Sequence, residues 1–85
     1  MANRATGKVT RLYVRPDVTN IRLEIPEPEQ PLENYFTLQM ANPNYNALYS
    51  LALSAAVNGY PLQIRTVADI KPTEPAVVHY MVVDW

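Results

Sequence analysis

A single helical segment lies between strand-like patterns, and it limits the folds open to this chain. Residues 42–58 are the only stretch in which apolar side chains recur with helical spacing. No acidic or basic residue occurs between Glu33 and Arg65, so this helix carries no charge at all. Surface helices of small proteins usually have a charged face, and we therefore expect that another surface covers more than one side of this helix.

Both ends of the helix have clear signals. Asn42 can cap the first turn and Pro43 suits the first helical position, with Asn44 as an alternative cap. Gly59 can take the left-handed conformation that ends a helix. A stripe at helical spacing is predicted to pack on the core, and it comprises Tyr45, Leu48, Ala52, Ala55 and Ala56, widened by Leu51.

Alternating apolar and polar residues predict strands on both sides of the helix. Three precede it, at residues 7–15, 18–25 and 35–40, and two follow it, at residues 62–68 and 76–85. The short break at Pro16-Asp17 predicts a hairpin between the first two strands. Proline-containing loops, at residues 26–31 and 69–75, separate other strands.

This order of elements predicts the OB-fold, a partly open Greek-key barrel of five strands with a helix between the third and fourth. The 85 residues form a single domain, in which residues 1–6 are expected to be flexible. A chain of this size buries a modest fraction of its surface, yet 48% of its residues are apolar. That excess favours burial between subunits, although exposed apolar side chains would also account for it.

Composition argues against several functions. The net charge of −1 gives no electrostatic footprint for nucleic acid or an anionic membrane, and no run is long enough to span a membrane. His79 is the only histidine, and the chain has no cysteine. No nucleophile, base and acid occur at a recognisable spacing, and the isolated glycines do not form a phosphate-binding loop. We therefore predict no enzymatic activity, no metal site and no cofactor.

The second and third strands present a polar face that suits a ligand. Their outward residues are Asn20, Arg22, Glu24, Tyr35, Thr37 and Gln39, of which Asn20, Arg22, Tyr35 and Thr37 are the candidate ligand-binding residues. A neutral glycan would find a ring to stack on and amides for its hydroxyls. One Arg and one Tyr beside a Glu make a poor groove for single-stranded nucleic acid. An ordinary solvated strand face is the simplest alternative.

Two surfaces are candidates for contacts between copies of the chain. The helix flank away from the core stripe comprises Asn46, Tyr49, Ser50, Leu53, Ser54 and Val57. The last strand is apolar on both faces, with Val78, Tyr80 and Val82 on one and Val77, Met81 and Val83 on the other. We assign Val77, Met81 and Val83 to the same interface and expect a closed homo-oligomer, which would also cover barrel edges.

Two runs of sequence resemble a known group of proteins. The runs Gly7-Lys-Val-Thr-Arg-Leu-Tyr-Val14 and Asn42-Pro-Asn-Tyr-Asn-Ala-Leu-Tyr-Ser-Leu-Ala-Leu-Ser-Ala-Ala56, followed by a valine-rich final strand, are similar to short bacterial OB-fold proteins. More distantly, the layout resembles the B subunits of AB5 toxins of the pertussis and subtilase-cytotoxin type. That resemblance implies a pentameric ring with the helix towards its axis, and glycan binding. No binding residue carries over by position.

The sequence departs from these toxin subunits in two respects. It has no cysteine, and residues 1–8 contain no apolar signal-peptide core. Both features favour a cytoplasmic location, with secretion as the alternative. A purely structural subunit and a module for single-stranded nucleic acid remain the alternatives to glycan binding.

Overall fold

The computed structural model describes residues 3–25 and 30–84. In this part of the chain there are six strands, one α-helix and a short 3₁₀ turn. The strands are β1 (Arg4–Gly7), β2 (Val9–Val14), β3 (Val18–Leu23), β4 (Tyr35–Gln39), β5 (Leu62–Thr66) and β6 (Ala76–Val83), the helix is α1 (Tyr45–Asn58), and the 3₁₀ turn is Leu32–Asn34. A strand-rich fold with one helix before the last two strands is confirmed.

All six strands form one sheet in the order β1-β5-β6-β4-β3-β2. Neighbours are antiparallel except β4 and β6, which run parallel. The hairpin predicted between the first two strands is present as β2 and β3, and Arg15 N–H donates to the Val18 carbonyl across its turn at 2.8 Å. No pairing joins β1 to β2, so the sheet is not closed by its hydrogen-bond ladders.

The first predicted strand, residues 7–15, corresponds to β2, but its first residue, Gly7, is the end of a separate strand, β1, with a different partner. β1 pairs with β5 and β2 pairs with β3, and only Lys8 separates them. Residues 4–6, which the sequence analysis expected to be flexible, belong to β1 because its backbone extends the β5 edge. A short polar strand of this kind lacks the apolar alternation that identifies longer strands. Residues 1–2 of the predicted flexible segment, residues 26–29 of the predicted loop and residue 85 of the predicted last strand lie outside the described residues.

The core consists mostly of inward side chains that strand alternation predicts, together with residues such as Ala5 and Met81 that were not assigned to it. Ile21 on β3 lies opposite Phe36 on β4, and both are fully buried. The other buried apolar residues of the sheet are Ala5, Leu23, Leu38, Leu62, Ile64, Ala76, Val78 and Met81. From the predicted helix stripe, Leu48, Ala52 and Ala55 are buried, Tyr45 and Leu51 pack against the core, and Ala56 is half-buried. The helix contacts β2, β4 and β6.

Asn42 acts outside the helix that it was predicted to cap. Its side-chain oxygen accepts a hydrogen bond from Asn44 N–H at 2.9 Å, and its carbonyl accepts one from Tyr45 N–H at 3.0 Å. Asn44, the alternative, takes the N-cap position, although its side chain makes no capping hydrogen bond. At the other end, Gly59 has φ = 70° and ends the helix as predicted.

A bulge in β6 corrects the predicted faces of the last strand. Val78 lies opposite Thr66 and Tyr80 opposite Arg65, which leaves His79 without a partner in the ladder. The extra residue reverses the alternation, so the buried side chains are Val78 and then Met81, while Tyr80 is 43% exposed. Val78 and Tyr80 therefore do not share a face.

A partly buried hydrogen bond joins the sheet to the start of the helix. Thr19 is fully buried, and its hydroxyl lies 2.7 Å from the Tyr45 hydroxyl. We expect Tyr45→Phe to lower the free energy of unfolding by about 2 kcal/mol, because it leaves the Thr19 hydroxyl buried without this partner. Urea denaturation followed by circular dichroism would measure the loss.

Tyr49 provides a matched control, since its ring stacks on Tyr45 with centroids 6.4 Å apart. Among the described residues its hydroxyl makes no hydrogen bond. Tyr49→Phe should change the stability by less than about 0.5 kcal/mol. The double change Thr19→Val and Tyr45→Phe should recover part of the loss. Equal losses in the two Tyr→Phe variants would contradict this role for the hydrogen bond.

Candidate ligand-binding face

Three adjacent strands place their outward side chains in two rows. Because β2, β3 and β4 are neighbours in the sheet, residues paired across them lie side by side. The pairings are Arg11 with Arg22, Arg22 with Tyr35, Tyr13 with Asn20, and Asn20 with Thr37. We call these six residues the polar face: Arg11, Tyr13, Asn20, Arg22, Tyr35 and Thr37.

Hydrogen bonds fix several side chains of the polar face. Thr37 Oγ1 donates to Asn20 Oδ1 at 3.1 Å, which leaves the Asn20 amide nitrogen free to donate elsewhere. Arg11 Nη1 donates to the Tyr35 hydroxyl at 3.1 Å, across the intervening strand β3. Such contacts reduce the side-chain entropy that ligand binding would otherwise cost.

A cleft of about 170 Å³ opens beside the row formed by Tyr13, Asn20 and Thr37. Its walls are formed by Tyr13, Asn20, Leu32, Glu33, Tyr35 and Pro75. One side of the cleft comes from two segments outside the sheet, one at residues 32–33 and the other at Pro75. Leu32 N–H donates to the Glu74 carbonyl at 3.0 Å, and this hydrogen bond holds the two segments together. The cleft thus combines two phenol rings and apolar surface with one amide and one carboxylate, a mixture typical of small-molecule sites.

The wall of the cleft contains unusual backbone conformations. Glu33 has φ = 53° and Asn34 has φ = 64°, and both lie in the left-handed region that residues with a side chain seldom adopt. Two consecutive residues of this kind turn the chain sharply into β4. Strained backbone of this sort is concentrated at functional sites, so its position beside the cleft supports a binding role.

The predicted ligand-binding residues are together on this face, but they differ in position. Asn20 and Tyr35 line the cleft, and Thr37 holds Asn20 in place. Arg22 shares its row with Tyr35 but does not line the cleft, and its Nη1 donates to Thr10 Oγ1 at 3.2 Å. The remaining outward residues of the predicted face, Glu24 and Gln39, are exposed and do not line this cleft.

Sequence reasoning missed several members of the site. Tyr13 and Arg11 lie on the outward face of the first predicted strand, and pairing that strand with the second would have placed them beside Asn20 and Arg22. Glu33 gave no signal, because a left-handed conformation is not expected for glutamate. Leu32 and Pro75 come from connections whose packing depends on the tertiary structure.

The candidate interface residues are divided between the surface and the core. On the helix, Leu53 is 43% and Val57 77% exposed, and the neutral residues Asn46, Ser50 and Ser54 are exposed beside them. Tyr49 is half-buried, as are Val77 and Val83 on β6. Met81 is buried in the core because of the β6 bulge, which corrects its assignment to an intersubunit surface.

Within the described residues, no group of three or more His, Asp or Glu side chains is placed to hold a metal ion. The helix found there is neither long nor apolar enough to cross a membrane. Comparison with family models, with curated proteins and with solved structures gives no match.

Proposed function

We propose that this protein is a non-enzymatic, OB-like binding module that takes a sugar on the polar face and works as a subunit of a closed homo-oligomer. The observation that carries the proposal is the cleft between Tyr13 and Tyr35, with Asn20 at its wall. OB-folds bind oligosaccharides and oligonucleotides on the corresponding strands.

The strand order supports an OB-like arrangement. β1 and β2 lie at opposite ends of the sheet but follow each other in the chain, and Glu24 N–H donates to the Lys8 carbonyl between them at 2.9 Å. Taken as the two halves of one bent strand, they give the five-stranded, partly open barrel of an OB-fold. The contacts of α1 with β2, β4 and β6 suit a helix that covers one end of such a barrel.

The chemistry of the cleft suits a sugar ring. The phenol rings of Tyr13 and Tyr35 offer apolar surface for the C–H face of a pyranose, with a polar edge. The Asn20 amide can donate to a hydroxyl and the Glu33 carboxylate can accept from one, which would orient the ring. The apolar side chains of Leu32 and Pro75 complete the cleft.

The test combines a glycan array with titration calorimetry. We expect Tyr13→Ala and Tyr35→Ala to weaken binding of the selected sugar about tenfold, because each removes a stacking surface. Tyr80→Ala is the matched control, since Tyr80 is as exposed as Tyr13, at 43%, and lies on β6 rather than on the polar face.

An array on which the wild-type protein binds no sugar would overturn the glycan proposal. Equal affinity in the Tyr35→Ala and Tyr80→Ala variants would show that the cleft is not the site.

Single-stranded nucleic acid is the second candidate, and one observation favours it. The guanidinium groups of Arg11 and Arg15 lie 5.5 and 5.7 Å from the centre of the Tyr13 ring, so the face is more basic than the sequence alone indicates. Stacked bases with phosphates near arginines would use this arrangement. Binding of single-stranded nucleic acid requires an affinity that falls steeply with salt. An oligonucleotide whose gel mobility is not shifted by the protein at low salt would exclude this candidate.

The exposed helix flank supports the assembly part of the proposal. Leu53 and Val57 are one turn apart and are surrounded by small neutral residues, which allow close approach of another chain. A pentameric ring, as in the toxin B subunits that the sequence resembles, would cover this flank through heterologous contacts. Light scattering that found only monomer at micromolar concentration would contradict it. A chain without cysteine suits a reducing compartment, which supports a cytoplasmic location.

A further inference from the structure

Two arginines face each other directly on the polar face. Arg11 on β2 is the cross-strand partner of Arg22 on β3. Like charges in this position repel each other and destabilise a sheet, so the pair is unfavourable unless something neutralises it. Neither arginine is required by the core, because both side chains point away from it.

In the described part of the chain no carboxylate compensates the charge of the two guanidinium groups, and the Arg11 guanidinium lies 5.5 Å from the centre of the Tyr13 ring. Arg11 Nη1 donates to the Tyr35 hydroxyl at 3.1 Å, and Arg22 Nη1 donates to Thr10 Oγ1 at 3.2 Å. Both acceptors are neutral hydroxyls. Among the described residues neither arginine forms an ion pair. Each guanidinium keeps several N–H donors that are not used in these contacts.

These hydroxyls also hold the arginines on the face. Thr10 Oγ1 donates to the Arg22 carbonyl at 3.2 Å while it accepts from the Arg22 side chain, so Thr10 and Arg22 are joined twice. Arg11 extends over β3 to reach Tyr35 on β4. The two cations are therefore tethered to neighbouring strands at the surface of the sheet, where an anion in solution can reach them.

Two acidic residues of the described chain lie near this face but do not neutralise the pair. Glu24 lies two positions beyond Arg22 and is exposed, and Glu33 lines the neighbouring cleft. Neither contacts Arg11 or Arg22 in an ion pair. A tetrahedral oxyanion has enough terminal oxygens to accept from two guanidinium groups at once, and Arg is well suited to such bidentate contacts.

We propose that Arg11 and Arg22 form an oxyanion site for the sulfate or phosphate ester of an acidic sugar whose ring occupies the adjacent Tyr13–Tyr35 cleft. Tyr35 links the two parts, since it lines the cleft and accepts from Arg11. The sugar part rests on the proposed function, whereas the oxyanion site can be tested without any sugar.

The first experiment titrates the full chain with sodium sulfate, and separately with sodium phosphate, while sodium chloride keeps the ionic strength constant. The Arg Nε–Hε resonances are followed by NMR. We expect saturable shifts at Arg11 and Arg22. The shifts should disappear in Arg22→Gln and persist in Lys71→Gln, which removes an exposed positive charge from the connection between β5 and β6. Shifts that do not saturate, or that persist in Arg22→Gln, would overturn the site.

The second experiment compares one sugar with and without its sulfate or phosphate ester. Wild-type protein should prefer the ester by about tenfold or more, since charge-assisted hydrogen bonds are the strong ones. Arg11→Gln and Arg22→Gln should lose the preference, so that each variant binds the ester and the plain sugar about equally. Arg22→Lys keeps the positive charge but not the paired N–H donors of the guanidinium group, so this variant should lose most of the preference for the ester. Comparison of sulfate and phosphate esters distinguishes the two sources of the anion.

The outcomes separate this inference from the proposed function. Equal binding of the ester and the plain sugar would overturn the oxyanion site and leave the glycan proposal intact. Saturable sulfate binding with no sugar bound would support the oxyanion site and overturn the glycan proposal. If the protein binds a single-stranded oligonucleotide more tightly than every esterified sugar, the bound anion belongs to a nucleic acid and the proposal of an esterified sugar is overturned.

Discussion

Replacing Gly7 with alanine is expected to lower the free energy of unfolding by about 3 kcal/mol, a large effect for a single methyl group. A Cβ atom at this position would lie 3.0 Å from the Glu24 carbonyl carbon and closer still to its oxygen. These are backbone atoms, so no side chain can rotate away to make room. The variant can fold only if β1 and the end of β3 move apart.

The position of Gly7 explains why such movement is costly. It is the last residue of β1, and the chain changes its pairing partner from β5 to β3 at Lys8. The hydrogen bond from Glu24 N–H to the Lys8 carbonyl, at 2.9 Å, holds the two segments together at that point. Displacing Glu24 would weaken this bond and the adjacent pairing of Val9 with Leu23.

Gly59→Ala is the matched control, because it isolates the other reason for which a chain needs glycine. A Cβ atom on Gly59 would meet nothing within 4 Å, but its φ of 70° is unfavourable for alanine. We expect a loss of about 1 kcal/mol there, from backbone conformation alone. Thermal and urea denaturation of both variants give the comparison. A Gly7→Ala variant as stable as Gly59→Ala would show that β1 is not held against Glu24.

These two glycines also show which parts of the fold can be predicted from the sequence. Gly59 was identified as the helix end because its signal is local: it follows the last residue with helical spacing, and Pro61 is near. Gly7 was predicted only as the first residue of a strand, because its contact with Glu24 depends on how distant segments pack. The parallel pairing of β4 with β6 and the bulge at His79 are likewise set by partners far along the chain.

The same distinction applies to the candidate site. Asn20 and Tyr35 could be predicted because strand alternation determines which side chains face outward. Tyr13 became part of the cleft only through the register of β2 against β3. Glu33 could not be found from its residue type, because its left-handed backbone is imposed by the connection that leads into β4. Local sequence patterns predict which face of the sheet a residue occupies, whereas the register between strands determines which residues lie next to it.

Leu53→Glu is expected to convert the proposed oligomer into monomers and leave the fold intact. Leu53 is 43% exposed in the single chain, so a carboxylate there can remain hydrated and the subunit should keep its far-UV circular dichroism spectrum. In an assembly that covers the helix flank, the same carboxylate would lose its hydration without a cation to pair with. The cost is about 3 kcal/mol at each interface, and a ring repeats that interface around its axis.

Sedimentation or light scattering across a range of protein concentrations measures the change directly. Val57→Glu, one turn further along the helix, should act in the same way, because Val57 is 77% exposed on the same flank. Thr73→Glu adds the same charge at an exposed position in the connection between β5 and β6 and should leave the assembly intact. If the Leu53→Glu protein retains the oligomeric mass of the wild type, the helix flank is not the contact. If Thr73→Glu also dissociates, net charge rather than the helix flank controls the assembly.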